Sequence, residues 1–226
     1  MEILDFKLLA PLSPSVISTL IVVFVLALVF IIAGNKVKKL DPEATPKGFV
    51  FLCIVIVDFF NNFIKDYISE KPLKFFGPYL FTIITFLALA NTIALFGLTP
   101  PLSNLGIALS FSVLTFFMIK IAEFKFQGVW NKIKGLMGPV KPLAIIMVPI
   151  NLIGEVSTPF SMGLRLFVNL MSGTVIAAMV YAALGWFASI FAGVFLHSMF
   201  DIFFGLIQAF VFFMLSTVNI SMASEG

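Results

Sequence analysis

Long runs of apolar residues, separated by short polar segments, dominate this sequence. Residues 16–34 carry no charged side chain, and at about 1.5 Å per residue they can cross a hydrocarbon layer about 30 Å thick. Gly34 and Asn35 are expected to end this helix. Residues 78–119 contain a second and a third crossing, separated by a turn at 97–101 that holds one glycine and two prolines. The pattern therefore predicts a protein built from membrane helices.

The last third of the chain, residues 143–224, has apolar stretches that are too long for simple crossings. As single helices, residues 143–184 would measure about 63 Å and residues 186–223 about 57 Å, each nearly twice the hydrocarbon thickness. Each stretch must therefore bend, split or tilt steeply. A split at 157–159 or at 172–173 would place Arg165 beside a polar turn, and the sequence leaves this alternative open.

Polar residues in the first of these stretches recur at the three- and four-residue spacing of one helical face. Arg165 lies on this face, within a long apolar run. An arginine at mid-membrane depth costs roughly 2.5–3.5 kcal/mol on insertion scales and keeps its proton, so it needs water or a carboxylate nearby. The other members of the face are Asn151, Glu155, Thr158, Met162, Asn169 and Ser172.

The second long stretch has a polar face of its own. His197, Asp201 and Gln208 are spaced by four and seven residues, with Asn219 further along. Two such faces on adjoining helices can lie against each other. His197 and Asp201 can also form an internal pair that neutralises itself. Asp201 and Glu155 are the carboxylates deep in the two stretches, and a carboxylate can change its protonation where an arginine cannot.

The composition indicates a membrane protein and argues against a nucleic-acid-binding protein or a thiolate metalloprotein. The chain is 61% hydrophobic and 11% charged, against about 25% charged in a typical soluble domain. Its net charge of +3 comes from lysines placed between apolar runs, which does not indicate a nucleic-acid partner. The single cysteine, Cys53, permits no intrachain disulfide and no thiolate metal site. We expect no cofactor.

The lysines also predict the orientation in the membrane, because basic loops face the cytoplasm. Seven lysines lie between Lys36 and Lys74 and five between Lys120 and Lys141, whereas residues 99–104 have none. Residues 35–74 are therefore expected to form a cytoplasmic basic loop and an interfacial helix, and residues 120–141 a second cytoplasmic loop. Residues 1–15 would be an external arm, and the C-terminus would be cytoplasmic. The first apolar run lacks the basic start and cleavage site of a signal peptide, so we expect it to remain as an anchor.

The interfacial helix, near residues 48–67, begins apolar and ends polar. Four of its five polar residues fall on one side of a helix. They belong to the set Asp58, Asn61, Asn62, Lys65 and Asp66. A solvated helix end without any chemistry is the simplest interpretation of this set.

The segment from Ser161 to Asn169, Ser-Met-Gly-Leu-Arg-Leu-Phe-Val-Asn, closely resembles subunit a of the F-type ATP synthases, the membrane stator that carries ions past the rotating ring of subunit c. Residues 206–212 (Leu-Ile-Gln-Ala-Phe-Val-Phe) and the terminal residues 221–225 are similar to the same family. The resemblance implies an all-α fold of about five membrane helices plus an interfacial helix. It also implies that residues 143–224 form a steeply tilted helical hairpin against the ring.

The same resemblance implies roles for individual residues. Arg165 would be the stator arginine, Asn169 and Gln208 its polar neighbours at the ring interface, and two aqueous half-channels would reach this interface from opposite sides. We expect Glu155 to line the cytoplasmic half-channel. The further candidates for the half-channel linings are Asn151, Ser172, Thr174 and His197.

Two positions depart from the commoner family pattern. Thr174 stands nine residues after the arginine, where many members have Glu or His, and Asp201 stands seven residues before the glutamine, where many have His or Glu. Asp201 keeps an ionisable group and Thr174 does not. We hypothesise from spacing alone that His197, one turn before Asp201, compensates for Thr174.

The predicted function is ion translocation by a stator subunit without a catalytic site of its own, coupling proton flow to rotation. The implied partners are the subunit c ring, peripheral stalk subunit b and membrane lipid, in a bacterial plasma membrane. Na⁺ is the alternative to H⁺ as the coupling ion, because the carboxylate that binds the ion belongs to the ring and not to this chain. The alternatives are a stand-alone ion channel or ion-coupled transporter, and a structural scaffold whose polar residues hold helices together.

Overall fold

A computed structural model of the protein describes residues 13–39, 48–128, 144–184 and 186–225, and every regular element in these ranges is helical. The α-helices are α1 (Pro14–Lys38), α2 (Phe49–Lys65), α3 (Glu70–Thr92), α4 (Leu105–Ala122), α5 (Ala144–Ala183), α6 (Trp186–His197) and α7 (Gly205–Glu225). Two π-helical segments follow α4 and α6, at Glu123–Gln127 and Ser198–Phe204. Short 3₁₀ turns at Ile93–Phe96 and Pro101–Ser103 connect α3 to α4. The predicted all-α fold is confirmed.

Five helical segments within these ranges are long and apolar enough to cross a membrane, as predicted. They are Pro14–Lys38, Glu70–Phe96, Leu105–Gln127, Ile146–Ala183 and Phe191–Ser224. The last two are 38 and 34 residues long, so the excess length of the last third is also confirmed. The steep tilt of these helices and their packing against a ring stay predictions.

The first helix is longer than the sequence suggested. Gly34 and Asn35 lie inside α1, which continues to Lys38, so the expectation that they end the helix is wrong. Lys36 and Lys38 occupy the last turn, where positive side chains interact favourably with the helix dipole. This interaction helps to carry the helix past the glycine. Residues 1–12 of the predicted external arm at 1–15, residues 40–47 of the predicted basic segment at 35–74 and residues 129–141 of the predicted second loop at 120–141 lie outside the described residues. Residues 120–127 of that second loop are helical instead, in α4 and the π-helical segment that follows it.

The core lies along α3, which packs against α1, α2 and α7, while α4 packs against α5 and α7. One face of α3 is completely buried, with Phe76, Leu80, Leu87 and Ala90 at 0% exposure. Lipid is as apolar as these side chains, so close packing and polar contacts between helices have to supply the attraction. The shape of each interhelical contact therefore decides where α5 and α7 lie.

Helix α5 is one continuous helix of 40 residues, with Pro149 and Pro159 inside it. The alternative split at 157–159 or 172–173 is therefore wrong, and Arg165 lies in a helix interior instead of beside a turn. A proline has no N–H to donate to the preceding turn. At the same turn the buried Ser112 hydroxyl of α4 donates a hydrogen bond to the Pro159 carbonyl, which joins α4 to α5 beside the proline.

Two glycines allow close approach of the helices that carry the polar faces. A β-carbon on Gly163 of α5 would lie 2.9 Å from Leu109 Cδ2 and 3.2 Å from Leu109 Cα on α4. One on Gly205, at the start of α7, would lie 2.9 Å from Cβ of Asn91 on α3. Small residues at such crossings are the usual means by which membrane helices pack tightly. These contacts fix α5 on α4 and α7 on α3.

We expect Gly163→Leu to destabilise the protein by about 1–3 kcal/mol, the usual cost of overpacking. The larger side chain would push α5 away from the α4 backbone. Thermal unfolding of the purified protein in detergent measures the change. Gly154→Leu is the matched control, because a β-carbon at Gly154 on the same helix meets nothing within 4 Å. Equal stability of the two variants would contradict the close packing of α4 and α5.

Candidate functional site

The two polar helical faces meet at Asn169 and Gln208. Asn169 Nδ2 on α5 donates a hydrogen bond to Gln208 Oε1 on α7, at 2.5 Å. This contact confirms that the two faces can lie against each other. Gln208 is 6% exposed, and its Nε2 is buried without a hydrogen-bond partner in the described chain. A buried donor without a partner costs about 1–3 kcal/mol, which is a reason to expect a functional role for this amide.

Asn91 of α3 is a third amide at the same place and, like Gln208, it is buried. It is 3% exposed, and its Nδ2 donates to the Gly205 carbonyl at 2.7 Å. Asn91, Asn169 and Gln208 line one small cavity of about 10 Å³. Asn91 was not among the predicted site residues. The signal that could have found it is its position as a lone amide in the apolar run at 78–96.

Arg165 lies one turn before Asn169 and is exposed. Within the described residues no carboxylate forms an ion pair with it. The apolar side chains around it are exposed as well, with Leu164 at 43%, Val168 at 51% and Met171 at 44%. We call the surface formed by Leu164, Arg165, Val168 and Met171 the arginine face. It combines a permanent cation with lipid-like neighbours.

His197 and Asp201 form the internal pair that their spacing allowed. His197 Nδ1 lies 2.6 Å from Asp201 Oδ2, with the His197 side chain 48% exposed and that of Asp201 12% exposed. Tyr181 of α5 lies nearby, its ring centroid 6.5 Å from that of His197. Asp201 lies in the π-helical segment Ser198–Phe204, where a wider turn changes the rotation of the following residues. The sequence pattern did not predict this segment.

Glu155 lies in a separate polar cluster, between α4 and α5. Lys120 Nζ is 2.8 Å from Glu155 Oε2 and 2.8 Å from Glu123 Oε2. The side chains of Glu155, Lys120 and Glu123 are 23%, 16% and 11% exposed, respectively. They line a cavity of about 230 Å³ together with Thr158 and Asn219, one residue from each predicted polar face. The two faces therefore approach each other here a second time.

Lys120 was missed as a site residue, because it stands at the boundary between an apolar run and a basic loop. In the structure it belongs to the last turn of α4. Its position at the end of a crossing, with Glu155 in a neighbouring apolar run, was the available signal. The sequence alone does not show that α4 lies beside α5.

The remaining predicted residues are placed as follows. Ser172 and Thr174 are exposed on α5, and Asn151 is half-buried. The Thr174 hydroxyl donates to the Met171 carbonyl of its own helix, at 2.8 Å. The hypothesis that His197 compensates for Thr174 stays a prediction.

Comparison with known proteins identifies the family. Residues 16–221 match the family model of the ATP synthase A chain. The chain belongs to the ATP synthase A chain family. The resemblance carried by residues 161–169 and 206–212 is thereby confirmed.

Several members of the ATP synthase A chain family show the extent of the similarity. The ATP synthase subunit a of Chlorobium phaeobacteroides is 31% identical over 220 residues, which cover 92% of this chain and 64% of the relative. That of Mycoplasma pneumoniae is 31% identical over 232 residues, covering 91% and 78%. The "ATP synthase subunit a, sodium ion specific" of Propionigenium modestum is 29% identical over 226 residues, covering 93% and 73%. The chain spans less than two thirds of the length of the Chlorobium relative.

We expect Lys120→Met to destabilise this member of the ATP synthase A chain family by about 1–3 kcal/mol, because Glu155 and Glu123 would lose the cation between them. Glu155→Gln should lower the free energy of unfolding less when Lys120→Met is already present than when it is made alone. A double-mutant cycle on unfolding in detergent should give a coupling of about 0.5–3 kcal/mol. Lys71→Met, at an exposed lysine of α3, is the control. Additive effects of the Lys120 and Glu155 changes would contradict the ion pair.

Proposed function

We propose that this chain is the ion-translocating stator subunit of an F-type ATP synthase membrane sector, which couples ion flow to rotation of a subunit c ring. The observation that carries the proposal is the position of Arg165. It lies exposed in the interior of a 40-residue apolar helix, with polar clusters before and after it along the helical hairpin. Membership of the ATP synthase A chain family supports the same function.

The arginine face needs a partner that supplies a negative charge inside the membrane. Lipid tails cannot solvate Arg165, and an intramembrane arginine is found where it faces water or a carboxylate. The exposed apolar side chains beside it suit contact with another membrane helix. A ring of helices that each carry a carboxylate would satisfy both requirements. In this proposal the arginine face is the surface that the subunit c ring slides past.

Two polar clusters are suited to the two half-channels. The Lys120–Glu155 cavity lies toward the start of α5, since Glu155 precedes Arg165 by about 15 Å along the helix. Tyr181, beside the His197–Asp201 pair, follows Arg165 by about 24 Å. Polar groups thus lie on both sides of Arg165 along α5. We assign the first cluster to the cytoplasmic half-channel and the second to the opposite one.

The fixed charge of Arg165 gives the site its chemistry. A ring carboxylate that arrives protonated meets a permanent cation, which favours the ionised carboxylate and so releases the proton into the second half-channel. The same positive charge opposes direct passage of a cation between the half-channels. Such a leak would dissipate about 2.3 kcal/mol per charge per 100 mV without turning the ring.

Asn169 and Gln208 position this face. Their hydrogen bond at 2.5 Å joins α5 to α7 one turn from Arg165, so it limits how far the arginine can move relative to the second helix. Asn169 is exposed beside Arg165, whereas the Gln208 amide is buried, so Asn169 is the amide that a ring carboxylate can reach. We therefore assign both amides to positioning and hydrogen bonding, and the change of charge to the ring.

The proposed function also implies partner subunits, an orientation in the membrane and a cellular location. The partners are the subunit c ring, peripheral stalk subunit b and the surrounding lipid, and the chain has no catalytic site of its own. With five crossings, an external N-terminus and a cytoplasmic C-terminus agree with the distribution of lysines. The location is a bacterial plasma membrane. Whether H⁺ or Na⁺ is carried depends on the ring carboxylate and its neighbours.

We expect Arg165→Gln to abolish ATP-driven ion pumping by the reconstituted complex, because the fixed charge at the ring interface is lost. Pumping is measured as acidification or Na⁺ uptake by sealed vesicles. Lys38→Gln removes the same charge at the exposed end of α1 and should leave pumping intact. Normal coupled pumping by the Arg165→Gln variant would refute the proposal.

Co-purification separates this proposal from a stand-alone channel or transporter. A tagged chain extracted in mild detergent should bring down the subunit c ring and the peripheral stalk. Recovery of the chain alone, together with ion flux in vesicles that contain no other subunit, would favour the channel.

A further inference from the structure

Two neighbouring cavities lie outside the proposed ion path, and we call the pair the hollow. A polar cleft of about 650 Å³ lies between the end of α2 and the beginning of α3. An apolar groove of about 410 Å³ lies between α1, α2, α3 and α7. Val57, Phe60 and Phe81 line both. A polar cavity therefore lies directly beside an apolar one.

The polar cleft carries charges of both signs. Lys65 and Lys74 contribute two cations, and Asp58 and Glu70 contribute two carboxylates. In the part of the chain that the structure describes, none of the four forms an ion pair. Opposite charges that share a cleft without pairing are available to a ligand that has both charges itself. The cleft lining also includes Asn61 and Asn62, so it holds four of the five polar residues for which a solvated helix end was the simplest interpretation.

The apolar groove offers almost nothing to a polar ligand. Its lining is almost entirely apolar, and the small side chains in it are Ala33 of α1, Ala88 of α3 and Ala209 of α7. The only hydroxyl in its lining is that of Thr85, which already donates to the Phe81 carbonyl at 2.7 Å. From Glu70 in the cleft to Ala88 in the groove, the hollow follows α3 for about 27 Å.

We propose that the cleft and the groove together bind one phospholipid whose headgroup contains a phosphate and a primary amine. The lysines suit the phosphate, the carboxylates suit the amine, and the groove suits an acyl chain. The cleft lies beside the lysine-rich segment that we place on the cytoplasmic side, at the level of lipid headgroups. The proposed occupant thus matches the hollow in charge, polarity and depth.

The size of the groove favours an acyl chain over a helix of another subunit. A helix about 10 Å wide fills roughly 1,600 Å³ over a length of about 20 Å. The groove has a volume of about 410 Å³, which is too small to admit such a helix. A stalk helix would leave the narrow hollow unfilled beneath it.

Photolabelling of the assembled complex tests the groove. The complex is reconstituted into vesicles of phosphatidylethanolamine and phosphatidylglycerol that contain a phosphatidylethanolamine with a diazirine near the end of one acyl chain. After illumination, peptide mapping should find labels concentrated on the segments at 53–60 and 81–88. Labelling there should exceed that at Phe24, an apolar residue of α1 that is 69% exposed. Labelling no stronger than at Phe24 would overturn the proposal.

A pair of variants on α1 tests whether the hollow itself binds the lipid. Ala33→Phe places a ring in the groove and should reduce labelling at 53–60 and 81–88 to the level at Phe24. Ala27→Phe makes the same change on the lipid-exposed side of the same helix, at a residue outside the groove, and should leave labelling unchanged. Equal labelling of the two variants would overturn the proposal.

The headgroup is tested with the double variant Lys65→Gln/Lys74→Gln. Competition by unlabelled phosphatidylethanolamine should weaken roughly tenfold or more, as expected for two lost contacts between lysine and phosphate. Lys38→Gln/Lys71→Gln removes two cations outside the cleft and should have no effect. In the wild type, phosphatidylethanolamine should compete better than phosphatidylglycerol, which lacks the amine, and glycerophosphoethanolamine should not compete. Equal competition by the two lipids would overturn the assignment of the headgroup.

Discussion

A positive charge that cannot be discharged has to stay within reach of polar groups when its helix crosses a membrane. Arg165 imposes this requirement on the last two long helical segments. Arginine side chains are permanent cations in proteins, so Arg165 needs solvent or a carboxylate beside it. The arrangement of α5, α7 and their amides follows from keeping that charge at a surface while the rest of the helix remains apolar.

Close packing between helices keeps this surface in place. Because lipid competes equally for apolar side chains, helices in a membrane are held together by shape and by hydrogen bonds. Gly163 permits α5 to lie against the α4 backbone, and Asn91 binds the Gly205 carbonyl at the start of α7. The Asn169–Gln208 hydrogen bond then joins α5 to α7. Arg165 is thus held on a supported helix, although its own side chain remains exposed.

Much of this organisation could be predicted from the sequence, because a helical period places residues on a face without any knowledge of neighbours. The faces through Asn169 and Gln208 and the His197–Asp201 pair follow from spacing alone. What spacing cannot supply is the order of helices around one another. Lys120 pairs with Glu155 only because α4 lies beside α5, and Asn91 joins the site only because α3 lies beside α7.

Some local backbone conformations also could not be predicted from the sequence. A turn at Pro159 was an alternative to a helix interior, and in the structure the continuous helix packs on α4 with the Ser112 hydrogen bond at this residue. Gly34 was expected to end α1, yet the helix continues through it to Lys38. The π-helical segment at Ser198–Phe204 has no composition that distinguishes it from an ordinary apolar helix. In each case a weak local preference was decided by its surroundings.

The central claim, that the arginine face lies against the subunit c ring, is tested most directly by disulfide cross-linking. Cys53 is the single native cysteine, so Cys53→Ser provides a clean background. Val168→Cys or Met171→Cys should form a disulfide with a cysteine placed beside the ion-binding carboxylate of subunit c, which requires Cα atoms within about 7 Å. Phe24→Cys, on the exposed side of α1, should not. Cross-linking through Phe24→Cys but through neither position on the arginine face would contradict the account.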